Sequence, residues 1–339
     1  MTKGRILVTG GCGYIGSHTI VDLLDHGFEV VSVDNLHNAD EEVMKGIAAI
    51  TGKQVVNHRL DLADEAATAA FFAKEKFDGA IHFAAFKSVG ESVEQPLAYF
   101  RNNLNSLLNV VAGLRAQGKS NLVFSSSCSV YGNAEELPVT ESTPRKDAES
   151  PYARTKQMGE DILMDYCHSF PDFKAVLLRY FNPAGAHPSA LIGENARNAA
   201  SNLVPVIMEV GSGKREKLLV FGDDYDTRDG SCVRDYIHVM DLAHAHTLAI
   251  EYLLAGKSDE NPALFNLGIG AGLTVLEVIK AYEEVTMQRL NYEIAPRRAG
   301  DVVAVYADRS KAENELGWQP TYGVEDIMRS AWKWEQRRG

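Results

Sequence analysis

Tyr152 and Lys156 stand four residues apart in the run S-P-Y-A-R-T-K. On a helix that spacing puts both side chains on one face, a turn apart. A free tyrosine titrates near pH ~10 and is a poor base at neutrality. A nearby ammonium, joined by any second cation in the site, favours the phenolate and draws it toward the working range. Ser127, the last of the triplet Ser125-Ser126-Ser127, ends an apolar run and is placed to hold the same substrate hydroxyl by a hydrogen bond. Alone, Y-x-x-x-K is ordinary helix-surface decoration. Its meaning depends on what the rest of the chain sets beside it.

The second cation is indicated at the start of the chain. Residues 5–16 read R-I-L-V-T-G-G-C-G-Y-I-G. Ile6, Leu7 and Val8 form a short apolar run, Gly10, Gly13 and Gly16 follow at spacing three, and helical periodicity covers 17–25. A strand, a glycine turn and a helix in that order form a dinucleotide cradle. The turn bends at glycine, the backbone comes close to a pyrophosphate, and the helix N-terminus faces the anion. The strand over 29–33, preceded by Gly27 as the C′ residue of the first helix, ends in Asp34. An acid at that distance hydrogen-bonds the adenosine 2′-hydroxyl and repels a 2′-phosphate, so NAD is favoured over NADP. The positive nicotinamide ring of NAD supplies the second cation beside Tyr152.

With 339 residues, 45% hydrophobic and 24% charged, the chain has room for two domains of an ordinary globular enzyme. A net charge of −12 argues against nucleic acid or an anionic membrane surface as partner. Cys12, Cys128, Cys167 and Cys232 are scattered without C-x-x-C spacing, which argues against a disulfide framework or a zinc site held by these cysteines. No apolar run reaches membrane-spanning length, and no secretory h-region opens the sequence, so the expected location is cytoplasmic.

The elements that must position these residues alternate. Strands are expected over 54–57, 80–83, 122–124 and 175–179. Helices are expected over 64–74, 95–117 and from Pro151, with Ser150 as N-cap. This spacing predicts an α/β fold, a Rossmann-type doubly wound parallel sheet whose strand ends carry the chemistry. Later segments still alternate: 236–239, a helix over 241–254, 264–267 and a helix over 275–286. The expected division is an NAD-binding domain over 1–182, rejoined by segments near 236–267, and a smaller C-terminal α/β substrate domain over 183–339.

Taken together, G-G-C-G-Y-I-G, D-N-L, S-S-S-C-S-V-Y-G, S-P-Y-A-R-T-K, R-Y-F-N-P-A-G-A-H-P and V-R-D-Y-I-H-V-M-D-L resemble the extended short-chain dehydrogenase/reductases, and within them the UDP-glucose 4-epimerases. The resemblance runs over nearly the whole chain. It implies that Ser127, Tyr152 and Lys156 are catalytic, that NAD stays bound through turnover, and that C4 of UDP-glucose or UDP-galactose is inverted through a 4-keto sugar. Besides the glycines, the implied NAD contacts are Tyr14, Ile15, Asp34, Asn35, Leu36, Asn38, Asp61, Leu62, Phe83, Ala84, Ala85, Lys87, Asn102 and Phe181, with Ser127, Tyr152 and Lys156. The implied UDP-sugar contacts are Asn182, Asn202, Leu203, Leu219, Val220, Phe221, Arg234, Arg298 and Asp301. Arg234 and Arg298 suit a diphosphate because guanidinium donates a bidentate fork. A homodimer through the helices over 95–117 and from Pro151 is also implied.

The chain departs from the family pattern in places. Cys12 and Cys128 replace small residues, as buried packers or as thiols open to alkylation. The loop 194–201 lacks the usual Pro-Gly pattern. Val305, in A-V-Y-A-D, stands where some epimerases carry tyrosine, and a small side chain there would enlarge the pocket for UDP-N-acetylhexosamines. Two other functions compete. A nucleotide-sugar 4,6-dehydratase would need an acid and a base just after the serine strand, where Cys128 and Ser129 stand. A non-enzymatic NAD-sensing protein would have no need of the tyrosine and lysine.

Overall fold

The computed structural model describes residues 2–195, 200, 202–297 and 302–338. In chain order the first part contains β1 (Arg5–Thr9), α1 (Tyr14–Asp25), β2 (Glu29–Val33), α2 (Val43–Thr51), β3 (Asn57–His58), α3 (Glu65–Lys74) and β4 (Gly79–His82). There follow α4 (Val89–Glu94), α5 (Pro96–Ala116), β5 (Asn121–Ser125), a 3₁₀ turn (Cys128–Tyr131), α6 (Pro151–Ser169) and β6 (Lys174–Tyr180). The second part has β7 (Asn182–Ala184), α7 (Leu203–Gly211), β8 (Leu218–Phe221), β9 (Val233–Arg234), β10 (Tyr236–His238), α8 (Val239–Leu254) and β11 (Ala263–Leu267). It ends with β12 (Leu273–Thr274), α9 (Val275–Thr286), β13 (Tyr292–Ala295), β14 (Ala304–Val305) and α10 (Val324–Arg338).

Seven strands form one parallel sheet in the order β11-β6-β5-β4-β1-β2-β3. Its strands bury both faces, as a sheet covered by helices on each side must. Period-two alternation sorts their side chains into two cores. Ile6, Val8, Val123, Val176 and Leu178 pack with Ile20, Leu23, Leu242 and Ala249 of α1 and α8. Leu7, Leu122, Phe124, Ala175 and Leu177 pack with Phe72, Leu107, Val110 and Leu163 of α3, α5 and α6. Each large apolar side chain so buried stabilises the fold by about 1.5–3 kcal/mol.

The ends of several elements match the sequence expectation because capping chemistry sets them. Ser150 Oγ accepts the Ala153 N–H at 3.1 Å, and Pro151 opens α6. Asp64 caps α3 by accepting the Ala67 N–H at 3.0 Å. Thr274 and Glu277 form a reciprocal capping box on α9. The strand expected over 54–57 is instead the two-residue β3, since Val56 is 63% exposed and only Asn57 and His58 pair with β2.

The stretch 236–267 divides between two sheets. Ala263–Leu267 does rejoin the main sheet, at its edge beside β6, and α8 packs on α1. Tyr236–His238 does not: it pairs in parallel with Asn182–Ala184 in a separate two-stranded sheet. The physical reason is Asp235, whose backbone carbonyl takes both the N–H and the side-chain amide of Asn182 at 3.0 Å. Its carboxylate accepts the N–H groups of Ile269, Gly270 and Ala307. A third core, around Ile207, Tyr282 and Met328, belongs to α7, α9 and α10.

Candidate active site

The sharp turn between β1 and α1 is built from glycine. Gly10 has φ +69°, and a Cβ at Gly16 would lie 2.3 Å from the Gly10 carbonyl oxygen. Gly13 occupies the N-cap of α1 with no side-chain hydrogen bond, so the first N–H groups of the helix face the cavity beside it. Asp34, at the end of β2, is 9% exposed and accepts the Cys12 N–H at 3.1 Å and the Leu36 N–H at 2.8 Å. Burial raises its carboxyl above the usual range, opposed by those two N–H groups. This set of uncapped helix N–H groups, a close backbone turn and a fixed acid fits an adenine dinucleotide.

Tyr152 and Lys156 lie on the first turns of α6, opposite the end of β5. Asn103 Nδ2 donates to Thr155 Oγ1 at 3.0 Å, tying α6 to α5. Gln157 Nε2 donates to the Val130 carbonyl at 3.0 Å, holding the 3₁₀ turn that follows Ser127. Beneath the pair lies Glu160, wholly buried. It receives Ser126 Oγ at 2.5 Å and the Arg179 fork at 2.8 and 2.6 Å. Lys156 is 5% exposed, and its ammonium donates to the Ser125 carbonyl at 2.5 Å. Burial lowers its pKa to about 8, while Glu160 pulls it back up.

The Tyr152 phenol differs from the sequence expectation. Ser127 hydrogen-bonds it and favours its ionisation, but burial raises its pKa above the usual value. Burial, with Tyr180 next in effect, dominates, and the Lys156 ammonium, 5.9 Å from the tyrosine ring centre, is engaged by Ser125. The phenol is therefore held protonated until further positive charge enters the cavity.

One cavity of about 1130 Å³ runs from the glycine turn past Tyr152 to the second part of the chain. Its wall includes Gly10, Gly13, Tyr14, Ile15, Gly16, Asp34, Asn35, Asn38, Asp61 and Leu62. It continues through Phe83, Ala84, Ala85, Lys87, Asn102, Ser127, Tyr152, Lys156 and Phe181. At the far end it is lined by Asn182, Asn202, Leu203, Leu219, Val220, Phe221 and Arg234. Two expected contacts are not on this wall. Leu36 adopts φ +61° and serves to turn the chain after Asp34. Val305, 8% exposed, is buried with Val130, Val139 and Phe181 behind the wall, because β14 pairs with β9 next to Arg234. Arg298 and Asp301 lie outside the described residues.

The wall also contains residues that sequence reasoning passed over. Arg215 and Lys217 line it at the far end, and the run K-R-E-K on an acidic chain was a signal for them. Tyr180 lines it too, its hydroxyl hydrogen-bonded to Ser125 Oγ, and Trp334 reaches it from α10. Nothing local in the sequence marks those two, since only tertiary packing brings them there.

The sequence profile of the family GDP-mannose 4,6 dehydratase matches residues 7–331. The UDP-glucose 4-epimerase of Erwinia amylovora is 44% identical, the match covering 98% of each chain. A crystal structure of the Bifidobacterium longum UDP-glucose 4-epimerase in complex with NAD+ and UDP superposes with a TM-score of 0.93 at 44% identity, covering 98% of both chains. The UDP-Glc/GlcNAc 4-epimerase of Campylobacter jejuni is 40% identical with a TM-score of 0.85, covering 98% of this chain and 99% of its own.

Proposed function

The chain belongs to the UDP-glucose 4-epimerase family of extended short-chain dehydrogenase/reductases, and from that membership we propose that it interconverts UDP-glucose and UDP-galactose through a 4-keto sugar, using NAD that stays bound. The observation that carries this reading is the convergence of Ser127, Tyr152 and Lys156 with the glycine turn and Arg234 on one cavity wall.

NAD, when bound, supplies the hydride acceptor for C4 and a positive ring beside the phenol. Gly10, Gly13 and Gly16 bring backbone to its pyrophosphate, and Asp34 holds the adenosine ribose. Tyr152 takes the proton of the sugar 4-hydroxyl, with Ser127 hydrogen-bonding the same oxygen. Lys156, cationic below pH about 8, favours the phenolate and reaches the nicotinamide ribose. Arg234 grips the diphosphate while the 4-keto sugar turns its other face to C4's redox partner. When the hydride returns to that face of C4, Tyr152 returns the proton to the 4-oxygen, and the configuration at C4 is inverted.

A dehydratase is disfavoured on chemical grounds. The positions after the serine strand hold Cys128 and Ser129, and the Cys128 thiol is pushed up to about 12 by burial, leaving no base there at neutral pH. A second substrate class, UDP-N-acetylhexosamines, is favoured by the likeness to an enzyme named for both UDP-Glc and UDP-GlcNAc. Val89, Val93, Leu97 and Leu108, all exposed on α4 and α5, support a homodimer through the α5 face. The four cysteines are unpaired, which accords with a reducing, cytoplasmic setting.

The test is incubation with UDP-galactose without added NAD, with product stereochemistry read by NMR. Appearance of UDP-glucose supports the proposal. Stoichiometric NAD in the protein with no turnover of any UDP-hexose overturns it in favour of an NAD-sensing role. UDP-GalNAc tests the second class, and light scattering the dimer.

A further inference from the structure

Away from the cavity, α1 and α8 lie side by side on one face of the main sheet and bring three potential ligands together. Asp22, in the last turn of α1, and His26, its C-cap, are four apart and on one side of the helix end, and His244 faces them from α8. Asp22 Oδ2 is 3.3 Å from His26 Nδ1 and 3.4 Å from His244 Nδ1. A donor atom from each of the three lies within 4.8 Å of the others, and among the described residues no other group of three His, Cys, Asp or Glu converges in this way. The two imidazole rings face each other at 5.1 Å between centres. Side-chain exposures of 33%, 12% and 38% leave the cluster open to an ion yet partly shielded from water.

We propose that Asp22, His26 and His244 bind a divalent transition-metal ion of the zinc class, with water completing the coordination. Tetrahedral zinc holds nitrogen and carboxylate oxygen at about 2.0–2.2 Å, which sets donor atoms about 3.3–3.6 Å apart. The two Asp22–imidazole separations fall at that spacing before any ion is present. Two imidazoles and one carboxylate select zinc, copper or nickel over calcium or magnesium, which prefer all-oxygen sets. Asp241 and Glu251 also lie close enough to act on His244 electrostatically, adding to the local attraction for a cation. Glu251 is itself paired with Lys3 at 2.6 Å, so Asp22 supplies the ligating charge. Without an ion, His26 Nδ1 bridges to the Asp22 carbonyl at 2.7 Å. Ligation through Nδ1 moves that proton to Nε2, so His26 binds as the neutral imidazole. The ion joins the C-terminal end of α1, the helix that starts at the glycine turn, to α8.

The experiment is calorimetric titration of the full chain, without an added histidine tag, with ZnCl2 and separately with CaCl2. Thermal melts are recorded at matched concentrations. One zinc ion per chain is expected, with no calcium response. At about 100-fold excess over Kd, Tm should rise by about 3–5 °C. Loss of supporting residues around metal sites costs 10–100-fold in affinity, so His26→Ala and His244→Ala should each weaken zinc at least about tenfold. Both side chains are half-exposed, so the variants should fold. His168→Ala, an exposed histidine on α6, should bind as the parent does. Absence of saturable zinc binding overturns the proposal, as does undiminished affinity in both His26→Ala and His244→Ala.

Discussion

The ammonium of Lys156 is bonded to the carbonyl of Ser125 at 2.5 Å, not to the phenol of Tyr152 one turn earlier on the same helix. The lysine is anchored to the end of β5, with its ammonium 5.9 Å from the tyrosine ring centre.

Activity should therefore fall as pH rises through about 8, where Lys156 loses its proton. The linkage to stability runs the other way. The folded pKa lies below the ordinary 10.5, so the folded chain binds fewer protons between those values and charging the lysine opposes folding at neutral pH. The stability difference between Lys156→Met and the parent should shift steadily in favour of the parent from pH 7 to 9.5. Turnover of UDP-galactose against pH and urea denaturation of both proteins check the two halves.

Tyr152→Phe should lower turnover by at least about 10²-fold, the usual worth of a positioned acid–base group. The ring still fills its buried site, so the melting temperature should change little. A single-point NMR assay with a parallel melt is sufficient.

Two glycines of the turn should separate folding from cofactor binding. At Gly16 an added methyl meets the Gly10 carbonyl oxygen at 2.3 Å, so Gly16→Ala should destabilise the chain. At Gly13 the nearest protein atom is 3.1 Å away, so Gly13→Ala should fold and lose NAD to steric crowding at the helix N-terminus. NAD released by acid from purified protein, set beside the melts, distinguishes the two.

Removing one partner of the buried Glu160–Arg179 pair leaves an uncompensated charge. Glu160→Ala should cost about 3–5 kcal/mol, read by urea denaturation.

The alkylation expected as one outcome for Cys12 and Cys128 should not occur at neutral pH. Burial, with Asp34 next in effect, raises the Cys12 thiol well above its ordinary value, and burial holds Cys128 at about 12. The reactive thiolate is scarce at both. Mass spectrometry after iodoacetamide at pH 7.5 should find both unmodified in the folded protein.

Much of the site was legible because its chemistry is local. The glycine turn, Asp34 after β2, and Ser150, Pro151, Tyr152 and Lys156 at the start of α6 are all short-range patterns of sterics and capping. What was not legible depends on distant packing. Nothing near Tyr152 announces that it is buried deeply enough for desolvation to raise its phenol. Val305 reads as a wall residue by position, yet the pairing of β14 with β9 sets it behind Phe181. Tyr236–His238 reads as one more strand of the main sheet until Asp235 pins its start to Asn182.

The edge strand β11 has a consequence for how the chain is made. Residues 263–267 complete a sheet whose other six strands are all synthesised by residue 180. Until the ribosome has passed them, β6 has an open backbone edge, and the helix that covers the α1 face is absent or unanchored. The first half of the protein therefore has to wait, partly covered, while most of the second half emerges. A nascent chain halted between them presents an unpaired parallel edge for chaperones or neighbouring chains to find.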